Sequence, residues 1–299
     1  MTAIHPRQGI ERLVLFFASA PTRQGVLARR FVGRVSDQDE MLVRRLVGEM
    51  EREIRSDGSV TGAVVPTIWR AHELLDLDPV ASQESCRRIM RWVLGLQDKP
   101  GAFSEGCNPT RHGHRVCEHF ISGFFSPAPP EQRLAPVMLP NGQVFRAEPA
   151  ARFAISCLAL RATLRVSLHS EPGIERHLMS LQQLQDQWTD WSGYFAGDAI
   201  LAGIHALALF PGERRGLLSR LSAIIANQQE EDGTWRHADL FHTLETLHAL
   251  GTLEARESVR RAVPALLSRQ RVDGSFGSTV QQERSLIALR SLIWAEQEG

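Results

Sequence analysis

The chain has 299 residues, 43% of them hydrophobic, and 34 Lys+Arg balance 34 Asp+Glu, so the formal net charge is zero. That balance gives no pull towards phosphate backbones or anionic lipid, and nucleic-acid binding has no support in composition. Four cysteines (Cys86, Cys107, Cys117, Cys157) are too few for a disulfide scaffold and fit a reducing, cytoplasmic setting.

In chain order, the first apolar run is Leu13–Ala20 (LVLFFASA), short for a secretory signal. Ile10, Leu13, Val14 and Phe17 recur at helical spacing, which predicts an amphipathic helix. Residues 1–50 are therefore expected as an N-terminal helical extension packed on the body. No run approaches the ~20 apolar residues that cross a bilayer.

From residue 51 to 299 a Gly-x-apolar element recurs: Gly58-Ser-Val, Gly101-Ala-Phe, Gly142-Gln-Val, Gly193-Tyr-Phe, Gly233-Thr-Trp and Gly274-Ser-Phe. Asp57, Asp232 and Asp273 directly precede their glycines, and Gln97, Gln228 and Gln270 stand a few residues upstream. An apolar run at i, i+3, i+4, i+7 spacing follows each element: 65–77, 118–125, 149–164, 198–210, 238–250 and 279–294. A more charged helix follows, such as 255–270, and no segment alternates as a strand would. One helical hairpin cannot bury its apolar stripe alone, so copies stack. Six copies predict an all-α, (α/α)6 toroid with apolar helices inside. An open HEAT-type array is the alternative, and it normally lacks a Gln-x-x-Asp-Gly turn.

Gln270-Arg-Val-Asp-Gly-Ser-Phe-Gly277 and Gln228-Gln-Glu-Glu-Asp-Gly-Thr-Trp235 resemble the Q-x-x-D-G-S/T-aromatic motif of the terpenoid cyclase and protein prenyltransferase superfamily. The resemblance runs from about Asp57 to the C-terminus and implies the toroid and a hydrophobic, isoprenoid-like substrate in a central cavity. The D-x-D-D acid motif of class II cyclases is missing; Asp76-Leu-Asp78-Pro79 comes nearest to it, at a helix end. Those cyclases usually carry a second helical domain as well. Asp239-Leu-Phe-His242-Thr243 is similar to the D-x-Y-H-T segment of protein prenyltransferases, whose His binds zinc. Asp198 matches a second ligand of that site, but Ile200 stands where its Cys belongs, so protein prenylation is not expected.

The densest chemistry lies in Cys107-Asn-Pro-Thr-Arg-His112-Gly-His114-Arg-Val-Cys117-Glu118-His119, inside an insertion between the second glycine and its inner helix. Cys and His at close spacing suit zinc, although this spacing follows no known finger. The open alternatives are a metal-free Cys/His/Glu catalytic cluster and a purely structural segment. In repeat five, Asp239, His242 and Glu245 interrupt an apolar inner helix and are expected to face a wet cavity, with Asp239 equally readable as a helix N-cap. The catalytic candidates are Asp239, His242, Glu118 and Asp198. The metal candidates are Cys107, His112, His114, Cys117, His119 and His242, with zinc the expected cofactor. Arg146, Glu148 and Arg152, with Glu283 and Arg284, read as an anion site or, more simply, as internal salt bridges. The Pro-rich stretch Ser126–Pro140 reads as a lid or a degraded repeat. The expected function is an enzyme acting on a hydrophobic small molecule, with no nucleic-acid partner and no integral membrane segment. The alternative is a non-catalytic lipid- or peptide-binding module with a structural metal.

Overall fold

The computed structural model describes residues 5–97, 127–129, 131–188, 191, 197–210 and 215–297. They fall into two compact units, Met1–Gly48 with Pro140–Gln143 and Arg215–Gly299, and Glu49–Leu139 with Val144–Arg214. Among the described residues no helix is long and apolar enough to cross a membrane.

The second unit holds α4 (Val64–Leu77), α5 (Gln83–Gly95), α6 (Glu148–Arg165), α7 (Pro172–Leu184) and α8 (Gly197–Leu207), and the end of α3 (Asp37–Arg52). Helices α6 and α8 are apolar on nearly every side and are buried along most of their length, as core helices must be. Small residues let α8 approach its neighbours. A Cβ on Gly203 would lie 2.6 Å from the Trp188 ring and 3.2 Å from Phe153. One expectation needs correction: Val137–Met138 (β1) and Val144–Phe145 (β2) pair as a short antiparallel ladder, where no strand was anticipated. Two residues are too few to show the alternation that marks a strand in sequence.

The first unit holds α1 (Pro6–Phe17), α2 (Arg23–Phe31), most of α3, α9 (Arg215–Ala226), α10 (Leu240–Leu250), α11 (Leu253–Leu267) and α12 (Gln281–Glu296). The inner-helix runs read from the sequence at 65–77, 149–164, 198–210, 238–250 and 279–294 match α4, α6, α8, α10 and α12 to within a few residues at each end. Gly101 and the run at 118–125 lie outside the described residues, as does Gly193.

The glycine turns show why the repeat has its sequence. Gly233 sits at φ 83° and Gly274 at φ 84°, in the left-handed region. A Cβ on Gly233 would lie 2.2 Å from the Arg261 carbonyl oxygen of α11, and one on Gly274 would lie 2.7 Å from that of Arg12 on α1. The preceding aspartates brace the turn: Asp232 accepts from the Thr234 N–H (2.9 Å) and hydroxyl (2.6 Å), and Asp273 from those of Ser275 (3.0 and 2.7 Å). Trp235 and Phe276 are buried as anchors, each contributing about 2–3 kcal/mol of apolar burial.

The glutamine four residues before Gly233 and before Gly274 ties each of these turns to a neighbouring helix. Gln229 Nε2 donates to Gly233 O (3.0 Å) and Ser258 O (2.9 Å), and Gln270 Nε2 to Gly274 O (3.0 Å) and Gly9 O (2.9 Å). The working residue in repeat five is therefore Gln229 and not Gln228. The pairs Ser258/Arg261 on α11 and Gly9/Arg12 on α1 play the same part. Helix α1 thus serves α12 as α11 serves α10, and completes the last hairpin. Gly9 permits this contact, since a Cβ there would lie 2.5 Å from Leu267 Cδ2.

Candidate functional site

Helix α10 is apolar, yet it begins with a set of polar groups. Asp239 is its N-cap, with Oδ1 accepting from the Phe241 N–H (3.0 Å) and the His242 N–H (3.2 Å). Its Oδ2 accepts from Arg284 of α12 at 3.0 Å, and the Arg284 guanidinium lies over the Phe241 ring, 4.9 Å from the centroid. Asp239 therefore fastens two inner helices at one end. The cap read for it from the sequence is present in these bonds.

His242 and Glu245 lie one turn apart on the same face. The Asn141–Gln143 segment packs against both. Gln143 Nε2 lies 2.6 Å from His242 Nδ1, with Gln143 and His242 each 3% exposed. Asn141 Nδ2 lies 3.4 Å from Glu245 Oε2. With the amide nitrogen facing the ring, the contact is a hydrogen bond in the tautomer whose Nδ1 is unprotonated and accepts.

Asn141-Gly142-Gln143 is itself one of the six turns. Asn141 Oδ1 accepts from the Gln143 N–H at 3.1 Å, the bond that aspartate makes in the regular copies, and Gly142 sits at φ 88°. The aspartate has become an amide that also donates to Glu245, and the serine or threonine has become a glutamine that reaches His242. Sequence reasoning passed over both residues. The signal was available: this is the one copy of the six with Asn before the glycine and Gln after it.

Among the other candidates, Asp198 is half-buried in the first turn of α8, within the second unit, and Ile200 beside it is fully buried. Glu118, Cys107, His112, His114, Cys117 and His119 lie outside the described residues. Among the described residues, no three His, Cys, Asp or Glu side chains group as metal ligands.

The basic and acidic residues near the inner-helix starts are internal partners. Arg152 is 1% exposed and binds Glu148 (2.8 Å) and the carbonyls of Ala128, Pro129 and Gln132; Glu148 in turn accepts from the Leu134 and Ala135 N–H groups. These bonds bind residues 128–129 and 132–135 to the start of α6. Glu283 pairs with Arg23 and accepts from Gln24 at 2.8 Å. The anion-site reading of Arg152, Glu148, Glu283 and Arg284 is accordingly replaced by salt bridging.

A closer approach to D-x-D-D than the one at Asp76 stands in Asp37-Gln-Asp39-Glu40, at the start of α3. Asp39 is buried and accepts from Arg29 at 2.6 and 2.9 Å and from Ser36. The Arg29 hydrogen bond outweighs burial and holds its carboxyl below the usual range. Its carboxylate oxygens serve Arg29 and Ser36 as an internal ion pair.

No protein-family model matches the sequence, and no curated protein does. Solved structures do match over nearly the whole chain. A protein from Actinoplanes superposes with a TM-score of 0.58 at 15% identity, covering 98% of this chain and 100% of its own. The type II terpene cyclase MstE from Scytonema, solved in complex with its product merosterolic acid A, superposes with a TM-score of 0.56 at 14% identity, covering 97% of this chain and 96% of its own. At this identity the likeness shows the fold: the chain has the all-α, terpenoid cyclase-like α/α-toroid fold.

Proposed function

We propose that the chain is an enzyme acting on a hydrophobic, isoprenoid- or terpenoid-like small molecule, with His242 transferring a proton and Gln143 positioning it. The observation that carries this reading is the 2.6 Å contact between the two buried side chains, made by a turn that departs from the Asp-Gly-Ser/Thr pattern. A scaffold turn needs only a small hydroxyl residue after its glycine. A glutamine aimed at a histidine on an apolar inner helix adds nothing that the other turns require.

The amide gives the pair a specific capability. In its present orientation it donates to Nδ1 and leaves Nε2–H as a donor. Rotated by half a turn, its oxygen accepts from Nδ1–H and frees the Nε2 lone pair as a base. Such an imidazole suits removal of a proton from a cationic or activated substrate. It is too weak an acid to protonate an isolated alkene, in keeping with the missing acid motif. Fold likeness to a terpene cyclase supports the substrate class.

The test is incubation of the purified chain with prenyl diphosphates, linear polyprenes and their epoxides, with products read by gas chromatography and mass spectrometry. Turnover that falls at least about 100-fold in His242→Ala, the order expected of a lost acid–base group, supports the reading. Turnover unchanged in that variant sinks it. The zinc expectation attaches to Cys107, His112, His114, Cys117 and His119 and is checked separately, by metal content of the purified chain and retention of metal in Cys107→Ser and Cys117→Ser.

The second reading is a non-catalytic module that binds a lipid or peptide. It is favoured by Asp239, whose two carboxylate oxygens serve the helix cap and Arg284. An apolar ligand that co-purifies and stays chemically unchanged with wild type and His242→Ala alike would favour it.

A further inference from the structure

We propose that a groove between α1 and the end of α2 binds a single-chain amphiphile with an anionic head, of the fatty-acid class. The inner part of the groove is a cavity of about 260 Å³ that reaches down to Leu289 of α12, with Phe17 and Ala28 in its wall. All three are at most 1% exposed, so the floor belongs to the core. A wider cavity of about 460 Å³ shares Val14, Val32 and Arg34 with it and extends along α1 past Ile10 and Leu15. Leu15 is 75% exposed there, an apolar wall open to water. A helix with its side chains is about 10 Å across, too thick for the inner cavity, whereas an alkyl chain fits one.

The charges select the head. Arg29 is spent: it binds Asp39 at 2.6 and 2.9 Å, Phe17 O at 2.7 Å and Ala20 O at 3.2 Å. Arg34 lines both cavities, is exposed, and makes no ion pair among the described residues. Glu11 lines only the wider one. A carboxylate at Arg34 with its tail on Phe17 and Leu289 satisfies the cation and fills the apolar floor. None of these residues belongs to the His242 cluster, so the two sites stand or fall separately.

The test is calorimetric titration of the full chain with dodecanoate and dodecan-1-ol below their micellar concentrations. Dodecanoate should bind, and decanoate should bind more weakly by about fourfold per methylene removed. Arg34→Ala should weaken dodecanoate about threefold, the usual scale of an exposed ion pair, and leave dodecanol unchanged. Glu11→Gln should tighten dodecanoate. Val32→Trp should fill the groove and reduce binding at least tenfold. Val14→Ser, which adds no bulk, should weaken binding several-fold if Val32→Trp does not fold. Dodecanoate binding that survives both apolar variants, or that ignores Arg34 and Glu11, overturns the proposal. So does sedimentation with phosphatidylcholine/phosphatidylglycerol vesicles in the absence of dodecanoate binding, which would make the groove a membrane contact.

Discussion

Two glycine turns of the first unit, at 270–276 and at 141–143, share a backbone and differ in what their side chains reach. In both, the residue before the glycine accepts from the N–H two positions on, at 3.0 and 3.1 Å, and the glycine is left-handed. At Gly274 Asp273 bonds Ser275 within the turn, and Gln270 Nε2 bonds the turn and α1. At Gly142 the same positions carry Asn141 and Gln143, which reach Glu245 and His242. The scaffold is held by backbone geometry, which leaves side chains at a degraded copy available for chemistry. On the proposed function, a repeat that departs from its own consensus is a better pointer to the site than one that keeps it.

That contrast can be broken by substitution. The largest effect is expected at the regular turn. Gly274→Val combines left-handed strain with a clash against the Arg12 carbonyl, where a Cβ would lie at 2.7 Å, and should cost about 3 kcal/mol or more. Thermal melting should fall by roughly 10 °C. Gly142→Ala should cost less, because its nearest neighbour, at 2.6 Å, is the Val280 Cγ2 methyl and not backbone. Equal losses would erase the distinction.

The next effect belongs to the degraded turn. Gln143→Ala leaves buried His242 Nδ1 without the amide and should destabilise by about 1–3 kcal/mol. On the proposed function it should also lower turnover more than Gln270→Ala does, although Gln270 makes two hydrogen bonds and Gln143 one to its histidine. Gln143→Glu should rescue stability in part and move the pH profile of turnover, which a purely structural role would not do.

A smaller effect comes from pH. Burial pushes His177 down to about 3 and His248 likewise down to about 3, aided in each case by a neighbouring arginine. Their folded values lie below the unfolded one, so the unfolded chain binds more protons as pH drops through 6.5. Stability is therefore full above about pH 7 and falls towards pH 3, by roughly 1–2 kcal/mol per histidine at pH 5. Melting curves at pH 7 and 5 should differ by a few degrees, and His248→Gln should reduce the difference.

The smallest effect is at the exposed turn aspartates. Hydrogen bonds from Ser59, Thr234 and Ser275 hold Asp57, Asp232 and Asp273 below the usual carboxylate range. Their contribution is present above about pH 4 and is lost as pH falls through the folded values. Asp273→Asn should flatten the acid limb of the melting profile slightly and leave Asn141→Ala, at the amide turn, without a comparable acid signature.

Much of this molecule was written locally. Periodic apolar residues gave the inner helices to within a few residues, because a helix stripe is set by neighbours three and four apart. The glycine-aspartate turns were readable because left-handed backbone restricts residue choice to glycine wherever it occurs. His242 stood out as a polar residue on an apolar helix for the same local reason. Its partners did not. Gln143 is 99 positions away, and its segment shows that it departs from the repeat but not which residue it meets. The same holds for α1, whose Gly9 and Arg12 receive the last turn from 261 positions along the chain. Composition and periodicity determined which segments are helical and where the chain turns. Packing alone decided which carboxylates are spent in salt bridges, which helix completes the last hairpin and which amide meets the histidine, since those outcomes depend on distances that only the folded chain creates.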